Sequence, residues 1–394
     1  MSQSSSHQAI TPSVSLALLV AIALTGTLSM HIFVPALPKA ALDLHTDSQT
    51  VQMTITVYIL GLAIGQLVYG PVADVIGRRK AILCSMVIYI FGAIASGLAP
   101  SAEFLSVARF VQALGGAGGL SLTRVIVADT YKGAQATERL AIMNLILLVG
   151  PGLAPVLGAI ISELTGWRSI FAILTFTSLA TLAISIGRLP ETGNPTHQFR
   201  LARTFGGFRA LFNNPSFMRV AIAGAFGSTA TYGYIVSAPF ILSGDMGLSV
   251  QMVGYCIGAT IVAAAAGTLL TRSIVSRVGE RVIQRAFSSL GLLTGLTFLV
   301  AALAHVLTPA SVIGLSLMML FCAGGLGPTT IGMAMRLAGP QAASAAGLYG
   351  CFQMLSGVIC SYAAGVFPDH QVGCGLVLFC GYLICVVQLL RASR

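Results

Sequence analysis

The chain has 394 residues, but Lys and Arg contribute only 21 of them and Asp and Glu only 11, so 8% of the sequence is charged against about 25% in a soluble domain. Hydrophobic residues make up 56%, which excludes both an ordinary soluble protein and a disordered one. The net charge of +10 does not indicate a nucleic-acid partner, because the basic residues lie between apolar segments instead of clustering on a solvated face.

Twelve apolar segments divide the sequence, each about as long as the 20 residues that a transmembrane helix needs. They lie near residues 13–33, 50–70, 81–99, 104–123, 140–161, 169–189, 217–241, 250–271, 286–305, 309–331, 344–366 and 372–390. We therefore predict an all-α integral membrane protein with twelve transmembrane helices, called here the first to the twelfth span. Residues 1–12 contain no Lys or Arg, so the first segment does not resemble a cleaved secretory signal and we expect it to be retained.

The basic residues predict how the spans are oriented. With the N-terminus inside, every Lys and Arg except Lys39, Arg109 and Arg168 falls on the cytoplasmic side. The acidic residues show no such bias, which is the pattern of the positive-inside rule. Both termini are therefore predicted to be cytoplasmic.

The longest interruption, residues 190–216, separates two predicted halves, residues 1–189 and 217–394, each with six spans. We interpret it as a cytoplasmic linker that contains an interfacial amphipathic helix. The halves resemble each other: Gly77 corresponds to Gly279 and Pro35 to Pro239, at almost the same spacing along the chain. Repeated halves around a central site are typical of secondary transporters.

The strongest motif is GPVADVIGRRK at residues 70–80, between the second and third spans. Gly70 and Gly77 suit a chain reversal close to a neighbouring helix. Asp74 and Arg78 lie four residues apart and can form an ion pair. A stop-transfer cluster of basic residues would explain Arg78 and Arg79, but neither the acid nor the glycines.

Further motifs follow the order of the spans. They are VPALP at 34–38, GQLVYGP at 65–71, RFVQALGG at 109–116, DTY at 129–131 and GWRSIF at 166–171. Together with residues 70–80, they resemble the major facilitator superfamily and, within it, the Bcr/CflA group of bacterial drug:proton antiporters. The resemblance covers essentially the whole chain. It implies two pseudo-symmetric six-helix halves, location in the bacterial inner membrane, a monomer, and proton-driven export of compounds like bicyclomycin or chloramphenicol without a cofactor.

The resemblance also assigns conformational roles. It implies that Asp74, Arg78 and Asp129 form a charge lock that holds the halves closed on the cytoplasmic side, although Asp129 could equally be an ordinary acid at the membrane edge. The fifth span has a Pro/Gly pattern like that of antiporters, at Gly150, Pro151, Pro155 and Gly158. Such residues permit bending and close helix approach, and simple helix packing is the alternative explanation.

Arg109 lies within the fourth span, where a charge is costly unless it faces water or a partner. A functional role is the default hypothesis, and the alternative is that its side chain extends to the nearby membrane surface. Gln112 is one turn further on and shares its helix face. By resemblance, the two residues would line the cavity and take part in proton coupling.

His31 is the main departure from the family pattern, which has an acid four residues before Pro35. The first span contains no Asp or Glu at all. Histidine titrates near neutral pH without any shift, so His31 could replace the acid as proton carrier. It could instead be a hydrogen-bonding substrate ligand, or lie at the outer interface and do neither. With Arg109, it would make the cavity neutral or electropositive and disfavour organic cations as cargo.

Other polar residues within spans are weaker candidates for the cavity, since each could equally join two helices. They are Thr27, Tyr58, Asn144, Tyr232, Tyr349 and Gln353. The eight cysteines contain no CxxC pair and are interpreted as small packing residues, so no metal site is expected. The chain contains no GxxxxGK[ST] loop, which argues against transport driven by its own ATP hydrolysis.

These features predict a secondary transporter that exports small amphipathic compounds in exchange for protons by alternating access. The first alternative is a dedicated exporter of an endogenous metabolite such as a siderophore, with or without proton coupling. A membrane receptor or an integral membrane enzyme is disfavoured, because the sequence has neither a sensing domain nor a cluster of catalytic residues.

Overall fold

The computed structural model describes residues 15–131, 133–193, 209–338 and 342–392. In these residues the chain is helical, and the twelve predicted spans are present in the predicted order. Their bounds are Leu16–Phe33 with Leu37–Asp43, Ser48–Ile76, Arg78–Gly97, Ala102–Thr130, Gly133–Thr165, Arg168–Arg188, Pro215–Thr229 with Thr231–Pro239, Val250–Val278, Glu280–Leu303, Pro309–Ala338, Ala342–Val366 and His370–Ala392. Of the described helices, nine are long and apolar enough to cross a membrane, judged by length and composition.

Several helices continue beyond the apolar segments that predicted them. The second span extends from residue 70 to Ile76, and the fourth from residue 123 to Thr130. An apolar segment reports only the length of chain in the hydrocarbon layer, whereas the helix continues into the polar interface. These extensions carry many of the charged residues discussed below. Most of the predicted linker, residues 194–208, lies outside the described residues, so the linker stays a prediction.

The first and seventh spans are both distorted near a proline. The first span changes to a 3₁₀ turn at Val34–Ala36 and then continues as Leu37–Asp43. The seventh span ends its regular helix at Pro239 and continues as a π-helix, Phe240–Asp245. Proline has no backbone N–H and its ring clashes with the carbonyl one turn earlier, which explains why regular helix stops there. The correspondence of Pro35 and Pro239 is therefore also structural.

The second and eleventh spans bring the two halves into contact. We call the end with the arginine-rich turns at residues 76–80 and 278–281 the basic end, and the other the opposite end. Towards the opposite end, the second and eleventh spans touch: a Cβ built on Gly365 would lie 2.9 Å from Oε1 of Gln52. At the basic end, a Cβ on Gly70 or Gly347 would meet nothing within 4 Å.

Polar contacts reinforce closure at the opposite end. Oγ of Ser48, which begins the second span, lies 3.0 Å from Nε2 of His370, which begins the twelfth. About two turns deeper, the Thr56 and Ser361 hydroxyls are 2.8 Å apart and join the second span to the eleventh. The second and eleventh spans also meet nearer the basic end, where a Cβ on Gly350 would lie 3.3 Å from Oε1 of Gln66.

Candidate functional site

Arg109 is held inside the N-terminal half. Its side chain is 0% exposed, and one terminal nitrogen donates to Oγ of Ser29 and to Oε1 of Gln112, both at 2.7 Å. The other terminal nitrogen donates to the carbonyl oxygen of Ser29 at 3.1 Å. The guanidinium thus connects the fourth span to the middle of the first.

Aromatic rings surround the same guanidinium. Its central carbon lies 3.9 Å from the ring centroid of Tyr58, 5.5 Å from that of Phe33 and 5.6 Å from that of Phe171. A cation over such ring faces is attracted to their negative electrostatic potential. Tyr58 is fixed in turn, since its hydroxyl donates to the carbonyl oxygen of Gly26 at 2.7 Å. In the described part of the chain no carboxylate pairs with Arg109, so rings and neutral acceptors stabilise the cation.

His31 lies on the other side of the first span. It follows Ser29 by two residues, and at about 100° per residue this places the two side chains about 200° apart around the helix. Ser29 faces Arg109, so the His31 side chain points away from Arg109. His31 is 9% exposed, and its buried Nδ1 has no hydrogen-bond partner among the residues that the structure describes. The structure therefore separates two residues that the sequence analysis placed in one cavity.

The surroundings of His31 locate it just beneath the closed opposite end. The 3₁₀ turn Val34–Ala36, which begins three residues later, contacts both the seventh and the eighth spans. Thr27, one turn earlier on the same face, is half-buried and donates to the carbonyl oxygen of Leu24 at 3.3 Å.

The other predicted cavity residues divide into two groups. Tyr232, in the seventh span, lies where the halves meet, because its ring packs at Gly357 of the eleventh span next to Ile59 of the second. Tyr349 and Gln353 instead join spans of the C-terminal half. The Tyr349 hydroxyl lies 2.9 Å from Oγ1 of Thr330, and Nε2 of Gln353 donates to Oγ of Ser228 at 2.9 Å. The side chain of Asn144 lies outside the described residues.

The fifth span packs closely on spans of both halves through its small residues. Gly158 lies against the backbone of Ile32, beside His31, and Gly150 lies against the side chain of Leu24. On the other face, a Cβ on Gly254 of the eighth span would be 2.8 Å from the carbonyl oxygen of Pro155. The side chain of Pro151 is outside the described part. Small residues thus bring the fifth span into backbone contact with its neighbours.

The turn at residues 76–80 is held by charges from elsewhere in the N-terminal half. Arg78 forms an ion pair with Asp129, so the pair joins the third and fourth spans of one half and does not bridge the two halves. Asp74 is exposed one turn before Arg78. The sequence analysis missed Glu191, which follows the sixth span: its Oε1 accepts from the backbone N–H of Arg78 at 2.8 Å and its Oε2 from that of Arg79 at 3.2 Å. The Arg79 side chain donates to the carbonyl oxygen of Ile186 at 2.6 Å.

The C-terminal half repeats this turn with a different arrangement of charge. Gly77 has φ 90° and Gly279 has φ 81°, a region that favours glycine. Glu280, which begins the ninth span, forms an ion pair with Arg336 near the end of the tenth. The acid and the arginine have thus exchanged places relative to Arg78 and Asp129. The sequence analysis matched the glycines, but not these partners.

Comparison with known proteins gives one consistent family. The family profile described as Major Facilitator Superfamily matches residues 18–361. The chain is 28% identical over 386 residues to "Multidrug resistance protein D" of Escherichia coli, covering 96% of each protein. It is 25% identical over 286 residues to the "Bicyclomycin resistance protein homolog" of Haemophilus influenzae, covering 71% of this chain and 72% of that one. Among solved structures, a D-xylose-proton symporter superposes with a TM-score of 0.76 at 13% identity, covering 96% of both chains, which shows a shared fold.

Proposed function

Because the chain belongs to the Major Facilitator Superfamily, a family of multi-pass membrane transporters and not of enzymes, we propose that it exports small amphipathic compounds in exchange for protons. The basic end faces the cytoplasm of a bacterium, in agreement with the positive-inside rule. The transporter works as a monomer in the inner membrane, needs no cofactor, and is driven by the proton gradient.

Two findings support export of this kind. The full-length relatives include proteins named for multidrug and bicyclomycin resistance. We place entry of a cytoplasmic compound at the basic end, where a Cβ on Gly70 or Gly347 would meet no described atom within 4 Å. Rocking of the halves about the second and eleventh spans then separates Ser48 from His370 and opens the opposite end.

The observation that carries the proposal is the position of His31. Its imidazole is buried on the face of the first span opposite Ser29, and its Nδ1 has no hydrogen-bond partner among the described residues. An imidazole in this place can bind a proton when the opposite end opens and release it when the basic end opens. The first span has no carboxylate that could do this instead. We therefore assign the proton-carrying step to His31.

The charge of His31 defines the class of cargo, because the protonated imidazole is positive. Because the spans contain no acid facing the space between the halves in the described residues, nothing there balances the charge of an organic cation. The proposed cargo is therefore a neutral or anionic amphipathic compound.

The decisive experiment uses the purified protein in liposomes. His31→Asn should abolish export driven by a pH gradient, whereas substrate exchange at equal pH continues, because Asn keeps the hydrogen-bonding capacity but cannot carry a proton. His45→Asn is the matched control, since His45 is an exposed histidine in the next loop with φ 49°, a conformation that Asn tolerates.

Full pH-driven export by the His31→Asn protein would rule out His31 as the carrier. Export by the wild-type protein that is indifferent to the pH gradient would remove proton coupling altogether. A parallel panel of neutral, anionic and cationic drugs and metabolites tests the cargo class, and preference for cations would contradict it.

A further inference from the structure

A cavity of about 550 Å³ lies at the basic end of the C-terminal half, between the ninth and tenth spans. Its wall contains the turn at Gly279 and the guanidinium groups of Arg281 and Arg336. The only acid in the wall formed by described residues is Glu280, and its carboxylate already pairs with Arg336. Within the part of the chain that the structure describes, Arg281 has no such partner beside the first turn of the ninth span.

The N-terminal half shows what occupies the equivalent place there. At its turn, the Glu191 carboxylate accepts hydrogen bonds from the first two backbone N–H groups of the third span. A Cβ built on Gly77 would lie 2.9 Å from the carboxyl carbon of Glu191, whereas one built on Gly279 would meet nothing within 4 Å. The same backbone therefore holds an anion in the N-terminal half, whereas in the C-terminal half it borders a cavity in which no described residue takes that place.

The remaining walls of the cavity are apolar. Val278, Val282 and Leu337 are 45%, 57% and 37% exposed, and Met333 lines the cavity beside them. A soluble anion would gain nothing from these side chains. An anion attached to a hydrocarbon chain would bury them, at about 25 cal/mol for each Å² removed from water.

We propose that this cavity binds an anionic phospholipid, with the phosphate beside Arg281 at the start of the ninth span and the acyl chains along Val282 and Leu337. The phosphate takes the place that the Glu191 carboxylate has in the other half. Arginine and the backbone N–H groups at a helix start are both suited to phosphate. The lipid belongs to the leaflet at the basic end, because anionic headgroups of the cytoplasmic leaflet attract arginines near the membrane surface.

The test measures lipid binding to the purified full-length protein by native mass spectrometry. Phosphatidylglycerol is titrated against phosphatidylcholine with the same acyl chains. The wild-type protein should retain phosphatidylglycerol preferentially, and Arg281→Gln should weaken this retention about tenfold, as expected for one charge-assisted hydrogen bond. Arg281→Lys should keep most of it. Arg272→Gln is the matched control, because Arg272 is exposed at the same end but does not line the cavity.

A second pair of variants leaves the arginines unchanged. Val282→Glu places a negative charge in the wall and should weaken binding, whereas Val282→Gln, of the same size, should not. Equal loss in Arg281→Gln and Arg272→Gln, or equal behaviour of Glu and Gln at position 282, would overturn the proposal. Displacement of the lipid by an equal concentration of inorganic phosphate would also overturn it, because the apolar walls would then contribute nothing.

Discussion

The two turns at the basic end share a backbone and differ in charge. Gly77 and Gly279 have nearly the same φ and ψ, 90° and 154° against 81° and 152°. In the N-terminal half the arginine begins the helix and the acid ends the neighbouring one, and in the C-terminal half the order is reversed. An ion pair forms whichever of the two helices carries the acid, so the acid and the arginine can exchange places. The positive φ, in contrast, favours glycine in both halves.

The interiors of the halves differ more strongly than the turns. The N-terminal half buries the cation Arg109 among aromatic rings, whereas the tenth span, the counterpart of the fourth, has no charged residue before Arg336. The corresponding space in the C-terminal half is joined by neutral bonds, such as that of the Tyr382 hydroxyl to the carbonyl oxygen of Met319 at 2.9 Å. Among the described residues, the interior of the N-terminal half therefore holds a charged side chain at the fourth span, whereas the counterpart in the C-terminal half is neutral.

The largest effect is expected from removing the buried cation. Arg109→Met leaves the acceptors of Gln112 and Ser29 unpaired and should lower the free energy of unfolding by about 3 kcal/mol. Arg285→Met, at an exposed arginine of the C-terminal half, should cost less than about 0.5 kcal/mol. Thermal unfolding of both proteins in the same detergent measures the difference, and equal stability would show that these bonds do not hold the N-terminal half together.

The two glycines give the next largest effect. Gly77→Ala and Gly279→Ala both force alanine into a strained conformation, at a cost of about 1–3 kcal/mol each. Gly77→Ala should cost more, because its Cβ also collides with the Glu191 carboxylate, while the space at Gly279 is open. The same unfolding assay tests this order. A larger loss at Gly279 would mean that the cavity beside it is not open as described.

The sequence predicts the features that depend on neighbouring residues, but not those that depend on contacts between distant helices. Twelve spans and the glycine pair follow from local patterns, because hydropathy and turn geometry are properties of neighbouring residues. The partners of Arg78, Glu191 and Arg336 depend on how distant helices rotate against each other. The sequence analysis paired Arg78 with Asp129, but through resemblance, and it assigned that pair to the contact between the halves.

The sequence also could not predict that His31 and Arg109 lie on opposite faces of the first span, because this depends on how the helices are rotated against each other. Their common polarity suggested one cavity, yet only the bond from Arg109 to Ser29 shows which face of the first span looks into the N-terminal half. Once that face is known, helix geometry turns His31 to the other side. Their proposed roles in transport and proton coupling are tested by the variants above, and not by their position alone.

A charge swap makes the reversal of the ion pairs testable. Arg78→Glu should lose about 1 kcal/mol, since it places two acids together at a half-buried site. Adding Asp129→Arg creates the arrangement that the C-terminal half already has with Glu280 and Arg336, so the double variant should recover most of the stability and of the transport rate. A double variant no better than Arg78→Glu alone would show that the N-terminal turn needs its own direction of charge, for example because Arg78 also lies beside Asp74.

The smallest effect is expected at the opposite end, where the halves differ in one helix cap. Asp47 caps the second span by accepting from the backbone N–H of Thr50 at 2.6 Å, and Ser249 caps the eighth by accepting from that of Met252 at 3.2 Å. The hydrogen bond from Thr50 holds the pKa of Asp47 below its ordinary value of 3.8. A lowered pKa means that the carboxylate cap stabilises the helix above this value and loses its effect as the pH falls through the lowered pKa.

Hydrogen exchange, corrected for its intrinsic pH dependence, should therefore show that the first turn of the second span frays in acid while that of the eighth does not. Asp47→Ser should keep the cap and abolish the pH dependence, because a serine hydroxyl does not titrate in this range; fraying of both helices in acid would assign the effect to the whole bundle instead.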